Sequence, residues 1–101
     1  MTIAVIFTSR RTPDHDEDYA VMAARMDQLV REQPGFISIT SVRDPLTRQG
    51  VTVGYFVDEE AVRAWREHPE HAEAQRRGIG VFYEEYHVTV ASVAREYGSH
   101  P

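Results

Sequence analysis

The order of two hydrophobic periodicities along the chain restricts its possible folds more than any other feature. Four segments have the composition and length of β-strands, and they span residues 2–9, 36–43, 51–57 and 82–93. A helical stripe from Tyr19 to Gln33 follows the first segment, and a second helical segment, residues 58–78, follows the third. This β-α-β-β-α-β order predicts a ferredoxin-like α+β fold with both helices on one face of an antiparallel sheet.

Turn and capping residues set the expected boundaries of the two helical segments. Asp14 and Glu17 are spaced like a capping box, so the first helix is expected to begin there, and Pro34-Gly35 to end it. Asp58 is the expected N-cap of the second segment, and Gly78 its stop. The second segment is expected to break before Pro69, which lacks an N–H and can restart a helix. Residues 1–93 then form one domain, and residues 94–101 a tail.

The strands are apolar on both faces, although the two predicted helices can cover only one of them. In the first strand Ile3, Val5 and Phe7 point one way, and Ala4 and Ile6 point the other. The fourth strand repeats this pattern, with Tyr86, Val88 and Val90 on one side and Thr89, Ala91 and Val93 on the other. An apolar face of this kind usually marks an interface, so the sequence predicts a homodimer through the open sheet face.

The composition of the chain indicates which classes of partner it can bind and in which compartment we expect it. The net charge of −5 argues against a nucleic-acid surface, which would need a basic patch. There is no cysteine, which fits a reducing compartment. No stretch approaches the roughly 20 apolar residues that span a bilayer, and the first residues lack the basic region of a signal peptide. We therefore expect a cytoplasmic protein without a membrane or nucleic-acid partner.

The second helical segment carries the residues with the most chemical interest. Ala61, Trp65, His68, Ala72 and Gln75 recur at helical spacing, so they are expected to share one face of the helical segment. That face holds one large aromatic ring, one titratable ring and otherwise small or neutral groups. A helix that only fills a core would more often show Leu, Ile or Val, so this face is expected to border a cavity.

Three of these features together resemble the antibiotic-biosynthesis-monooxygenase domain family. They are the β-α-β-β-α-β order, the Pro34-Gly35-Phe36 turn, and the run from Asp58 through W-R-E-H-P-E-H-A-E-A-Q-R-R-G. The resemblance covers nearly the whole chain. It implies a dimeric α+β barrel with helices outside and a pocket in each subunit between helices and sheet. Members include cofactor-free oxygenases of phenols and quinols, haem-degrading enzymes and proteins without an assigned reaction.

The oxygenase interpretation assigns roles to six residues and needs no cofactor. Trp65 would form a pocket wall, His68 or His71 would be the base, and the ligand would be a small aromatic phenol or quinol. Hydroxyl groups that could orient its oxygens are those of Tyr55, Tyr83 and Tyr86. Each role has a structural alternative: Trp65 as a core residue, His68 as a cap of the break, His71 as a surface or dimer contact, and the tyrosines as core or interface residues.

Other chemistries fit the sequence less well, but a non-enzymatic interpretation stays open. His68 and His71 are three residues apart with a proline between them, and a zinc site would need a third ligand such as His87, so no metal is expected. Haem-degrading relatives use a histidine where Gln75 stands, and an asparagine on the first strand, whose corresponding residues 4–7 include none. The chain could also be a small-ligand-binding or stress-associated dimer without turnover.

Overall fold

Four antiparallel strands and three helices make up the computed structural model, which describes residues 1–99. In chain order the elements are β1 (Ile3–Arg11), α1 (Asp16–Arg31), β2 (Phe36–Arg43), β3 (Gln49–Phe56), α2 (Glu59–Glu67), α3 (Pro69–Arg77) and β4 (Tyr83–Ser92). A π-helical turn, Gly78–Phe82, joins α3 to β4. The strand order in the sheet is β2-β3-β1-β4. The ferredoxin-like prediction is therefore confirmed, with the second helical segment divided in two.

The register of β1 determines which side chains face the helices. Val5 lies between Gly54 of β3 and Val90 of β4, and it packs against the buried cluster formed by Val30, Phe56 and Ala61. Because side chains alternate along a strand, the odd-numbered residues of β1 face the helices, and Ala4 and Ile6 face the open side. The strand alternation predicted for β1 and β4 is confirmed by this register.

The helices leave the edge strand β4 largely uncovered on their own side of the sheet. Tyr86, Val88 and Val90 pair in register with Ser9, Phe7 and Val5, and they keep 49%, 47% and 53% of their surface exposed. By contrast Phe56 on β3 is 2% exposed. The helical layer therefore lies over β1, β2 and β3, and an apolar strip of β4 is open beside it.

Two expectations about the start of the chain are wrong. β1 continues through Arg11, since Arg11 pairs with Tyr83 and its N–H donates to the Arg48 carbonyl at 3.0 Å. The capping box at Asp14 does not form; α1 begins at Asp16 after His15, which has a left-handed backbone and makes no capping bond through its side chain. The cause is the Arg11 guanidinium, which binds the carbonyls of Asp14 and His15 and fixes this turn itself.

The second helical segment starts and breaks where predicted. Asp58 Oδ1 accepts from the Ala61 N–H at 2.9 Å, and α2 ends before His68. Pro69 then opens α3. Gly78 does not stop the chain in a left-handed turn, because its φ of −57° is right-handed and continues into the π-helical turn. The second helix is therefore two nine-residue helices, and the face from Ala61 to Gln75 is not continuous.

The tail follows β4 without regular structure over residues 93–99, and the last two residues of the predicted tail lie outside the described part. The Val93 N–H, just before the predicted tail, donates to the Thr2 carbonyl at 2.9 Å and so binds the end of β4 to residue 2. Among residues 1–99, no helix is long and apolar enough to cross a bilayer.

Candidate functional site

The break between α2 and α3 leaves one backbone carbonyl for other groups to bind. In a continuous helix the carbonyl of Trp65 would accept from the N–H of residue 69, and Pro69 has none. Two other donors occupy that carbonyl instead: the His68 N–H at 3.1 Å and Nδ1 of His71 at 2.9 Å. The proline therefore brings the His71 ring back onto the end of α2.

This bond determines which nitrogen of His71 carries the proton. A carbonyl oxygen only accepts, so Nδ1 must be the donor, and the neutral ring keeps a lone pair on Nε2. The ring stacks on the Trp65 indole, with centroids 4.0 Å apart and planes 11° apart. Burial lowers the pKa of His71 below its ordinary 6.5, the Trp65 carbonyl acts in the opposite direction, and nearby His68 lowers it further. His71 is thus a neutral, oriented imidazole at pH 7.

His68 has a different environment, although it is only three residues away. Its Nδ1 accepts from the Glu70 N–H at 3.3 Å, so the ring caps the first turn of α3. That bond uses the lone pair which a base would need. The ring centroid lies 5.9 Å from that of Trp65, in a tilted arrangement. The two histidines therefore carry opposite tautomers, with the free nitrogen lone pair on His71.

Trp65 connects these histidines to the core. Its half-buried ring packs against the cluster of Val30, Phe56 and Ala61, as the core interpretation of Trp65 expects. Helix α3 is held to α1 by a two-pronged ion pair, in which Nε and Nη2 of Arg25 each bind a carboxylate oxygen of Glu70 at 2.8 Å. The residue after Glu70 is His71, so this pair fixes the turn that carries the stacked ring.

Tyr83 and Tyr86 belong to a second aromatic group, formed with Phe7 of β1 and Tyr19 of α1. Tyr83 meets the rings of Phe7 and Tyr19 edge to face, with centroids 5.3 and 5.9 Å away, and Tyr86 stacks on Phe7 at 6.3 Å. Burial, followed by its interactions with Tyr19, raises the pKa of Tyr83 far above its ordinary value. Tyr83 therefore keeps its proton and can act only as a neutral hydrogen-bonding group.

Tyr55 is separated from both groups, because it pairs with Ala4 and so faces the open side of the sheet. The structure thus brings Trp65, His68 and His71 together, and Tyr83 and Tyr86 together. Within residues 1–99, no aromatic ring contact joins the two groups.

Sequence reasoning missed two arginines that hold the second aromatic group in place. Arg43 donates to Ser9 Oγ at 2.8 Å and to the Tyr19 hydroxyl at 3.3 Å, and its guanidinium lies where a Cβ on Gly50 would stand. Arg11 is 2% exposed and stacks over the Tyr19 ring at 4.1 Å. Arg11 could have been noticed, since it continues the helix-facing series of β1 past Ser9.

Two cavities of the surface are lined by neither Trp65 nor the two histidines, although the second includes Pro69 and Glu70, which lie between His68 and His71. One is a groove of about 690 Å³ across the strands, in which Thr8, Val42, Val51 and His87 form one row of the open face. The other, of about 330 Å³, lies between α1 and α3 and includes Met22, Met26 and Pro69. Of the six predicted site residues, Tyr86 lines the first groove, and none lines the second.

Within residues 1–99, no three histidine or acidic side chains are arranged to hold a metal ion. Gln75, which stands where haem-degrading relatives have a histidine, is exposed on α3. Those relatives also have an asparagine on the first strand, and the corresponding residues 4–7 include none. The side chain of Ala4, the first of these residues, lies on the open face next to Tyr55.

Comparison with known proteins gave a family and a fold. The family model for antibiotic biosynthesis monooxygenase matches residues 2–77. Uncharacterized protein YqjZ of Bacillus subtilis is 43% identical over 93 residues, which are 92% of this chain and 80% of that protein.

Solved structures agree with the fold at lower identity. Rv0793 from Mycobacterium tuberculosis has a TM-score of 0.84 and 17% identity, covering 97% of this chain and all of its own. SnoaB, a cofactor-independent oxygenase from Streptomyces nogalater, has a TM-score of 0.78 and 13% identity, covering 97% of this chain and 98% of its own. At these identities the likeness is one of fold.

Proposed function

Because the chain belongs to the antibiotic biosynthesis monooxygenase family, we propose that it oxidises a planar phenol or quinol with molecular oxygen, without a bound cofactor. One observation carries the proposal beyond family membership. His71 is neutral, stacked on Trp65, and held with its proton on Nδ1, so Nε2 is free to take a proton from a substrate hydroxyl. A general base needs that combination of a free lone pair and a fixed direction.

His71 is a better base than His68 on the same grounds. His68 already accepts from the Glu70 N–H through Nδ1, so protonating that nitrogen would break the cap of α3. The lowered pKa of His71 keeps it unprotonated near neutral pH, as a base must be before it reacts. We assign the base to His71 and a capping role to His68.

The proposed reaction balances without an external reductant, since the substrate supplies the electrons. His71 takes the phenolic proton, the electron-rich phenolate reduces O₂, and one oxygen atom forms a bond to the para carbon. Loss of water, containing the second oxygen atom and both hydrogens, leaves a quinone. For 1-naphthol this is 1-naphthol plus O₂ giving 1,4-naphthoquinone plus water. A quinol such as 1,4-naphthohydroquinone already carries the para oxygen, so it instead transfers two electrons and two protons to O₂ and gives 1,4-naphthoquinone plus H₂O₂. The protein need supply only the base, a dry site and groups that orient the substrate.

The surface beside the helical layer supports a flat aromatic substrate. Phe7, Tyr86, Val88 and Val90 present ring faces and methyl groups on the helix side of β1 and β4, with β4 about half exposed. Tyr83 stands next to them as a protonated phenol that can donate to a substrate oxygen. Trp65 would form the wall toward His71. Tyr55 is left out of this assignment, because it faces the other side of the sheet.

We also propose that the working form is a homodimer joined through the open sheet face. The groove across that face includes Val42, Val51 and Thr8, and a second copy placed there would cover it. Such a dimer is the α+β barrel that the family resemblance implies. It leaves the Trp65 and His71 groups on the helix side of each copy.

Oxygen uptake with 1-naphthol and 1,4-naphthohydroquinone tests the reaction, with the protein-free rate subtracted. We expect ¹⁸O₂ to place one labelled atom in the 1,4-naphthoquinone formed from 1-naphthol. His71→Gln should lower kcat by a factor of roughly 10² to 10⁴, the range for a lost general base. His68→Gln is the matched control, and it should retain most of the wild-type kcat.

Two results would contradict the proposal in different ways. No uptake with either compound, together with Trp65 fluorescence that both compounds quench, would identify a binding module without turnover. Turnover that survives His71→Gln unchanged would remove His71 as the base, whichever substrate is used.

A further inference from the structure

Pro69 has a consequence that reaches beyond the bend in the helix. A helical residue at position 69 would donate its N–H to the Trp65 carbonyl, four residues earlier. Pro69 cannot, and its ring also keeps His68 out of helical angles, at φ −59° and ψ 128°. The carbonyl is therefore open on the side from which His71 approaches, and the His71 ring occupies it at 2.9 Å.

We propose that Pro69 is a positioning residue that fixes the tautomer of His71. The missing N–H at position 69 lets the Trp65 carbonyl hold the proton of His71 on Nδ1, and this places the lone pair on Nε2. The inference rests on the proposed function only where it concerns activity. The tautomer itself is a property of the folded protein and needs no substrate.

Neighbouring contacts make the arrangement specific to His71. Its ring plane is set by the stack on Trp65, 4.0 Å away and 11° from parallel. Its backbone is set by α3, where His68 caps the Glu70 N–H and Arg25 holds the Glu70 carboxylate. Since the ring plane and the backbone of His71 are both fixed, Nδ1 faces one acceptor, the Trp65 carbonyl. That carbonyl is open to His71 because Pro69 has no N–H.

The direct test is ¹⁵N NMR of the histidine rings in the full-length protein at about pH 7.5. In the wild type we expect His71 to show a protonated Nδ1 and a bare Nε2. In Pro69→Ala, the new N–H competes for the Trp65 carbonyl, since alanine favours a continued helix. We then expect the Nδ1–H form of His71 to lose its dominance. Pro45→Ala, in the exposed β2–β3 loop, is the matched control and should leave the tautomer unchanged.

Kinetics on the same variants separates the two claims. We expect Pro69→Ala to lower kcat for 1-naphthol by at least about tenfold with little change in KM, because a wrong tautomer removes a base without removing binding. A wild-type His71 protonated on Nε2, or a Pro69→Ala spectrum like the wild type, overturns the tautomer inference. A tautomer that moves while kcat does not would instead overturn the role of His71 as the base and leave the inference about Pro69 standing.

Discussion

Gly35 shows how a single position can be fixed by its neighbours. Its φ is +83°, and a Cβ there would stand 2.6 Å from the Ala61 Cβ and 2.9 Å from Val57 Cγ2. Gly35→Ala should therefore lower the free energy of unfolding by roughly 2–4 kcal/mol, through backbone strain and overpacking. Gly80→Ala is the control, because nothing lies within 4 Å of a Cβ there. Urea unfolding of both variants checks this, and equal losses would contradict it.

The environment of His71 also predicts how stability responds to acid. Its pKa is lowered in the folded protein, so below about pH 6.5 the unfolded chain binds the proton more readily than the folded one. The contribution of neutral His71 to the free energy of unfolding is therefore complete above about pH 6.5, and it is lost as the pH falls toward the lower pKa of the folded protein. We expect the wild type to lose more stability than His71→Gln between about pH 7.5 and 5.5 in urea unfolding. His87→Gln, on the exposed part of β4, is the matched control, and a wild-type response in His71→Gln would refute the argument.

Among the elements, the start of α1 depends on one buried arginine. Arg11 is 2% exposed and donates to the carbonyls of Thr12, Asp14, His15 and Phe82, so it joins β1, the turn before α1 and the π-helical turn. Arg11→Met would remove these hydrogen bonds from a buried position, at about 0.5–1.5 kcal/mol each, although each carbonyl keeps another donor. We therefore expect a loss of about 2–4 kcal/mol. Arg10→Met is the control, because Arg10 is 40% exposed and pairs only with surface glutamates. Thermal unfolding of both proteins measures the difference, and similar melting temperatures would count against the role of Arg11.

The same elements explain how far sequence reasoning could go. The strands, the Asp58 cap and the break before Pro69 follow from local patterns that the fold keeps. The capping box at Asp14 did not form because the buried Arg11 guanidinium binds the carbonyls of Asp14 and His15 and so determines the turn. The prediction of one shared helix face from Ala61 to Gln75 was wrong for a different reason. The break before Pro69, which was itself predicted, separates α3 from α2, so His71 rather than His68 stacks on Trp65.

Site residues were harder to predict than elements, because their roles depend on contacts between distant segments. The pairing of Arg25 with Glu70 and of Arg43 with Tyr19 has no signature in a single sequence. The sequence does show that the Trp65 carbonyl lacks its helical donor, since Pro69 has no N–H, but only the structure shows that His71 binds there. The position of Tyr55 on the open face could be assigned only from the register of β1 and β3, which pairs Tyr55 with Ala4.

For the molecule as a whole, the interior is small. Among residues 1–99, eight apolar side chains are buried, and three of them are alanines. A chain of 101 residues with so little enclosed apolar surface gains much from covering its open sheet face. This is the physical reason for expecting a second copy there, in addition to the family resemblance.

Light scattering at micromolar concentration tests that assembly. We expect a mass of about twice 11.6 kDa for the wild type. Val42 lies on the open face and is 63% exposed in the single chain, so Val42→Lys should leave the monomer folded but place two uncompensated charges in the dimer interface. Val21→Lys is the matched control, because Val21 is 73% exposed on α1. The expected result is a folded monomer for Val42→Lys and a dimer for Val21→Lys. A wild-type monomer, or a dimer that Val42→Lys leaves intact, would show that this face is not the interface.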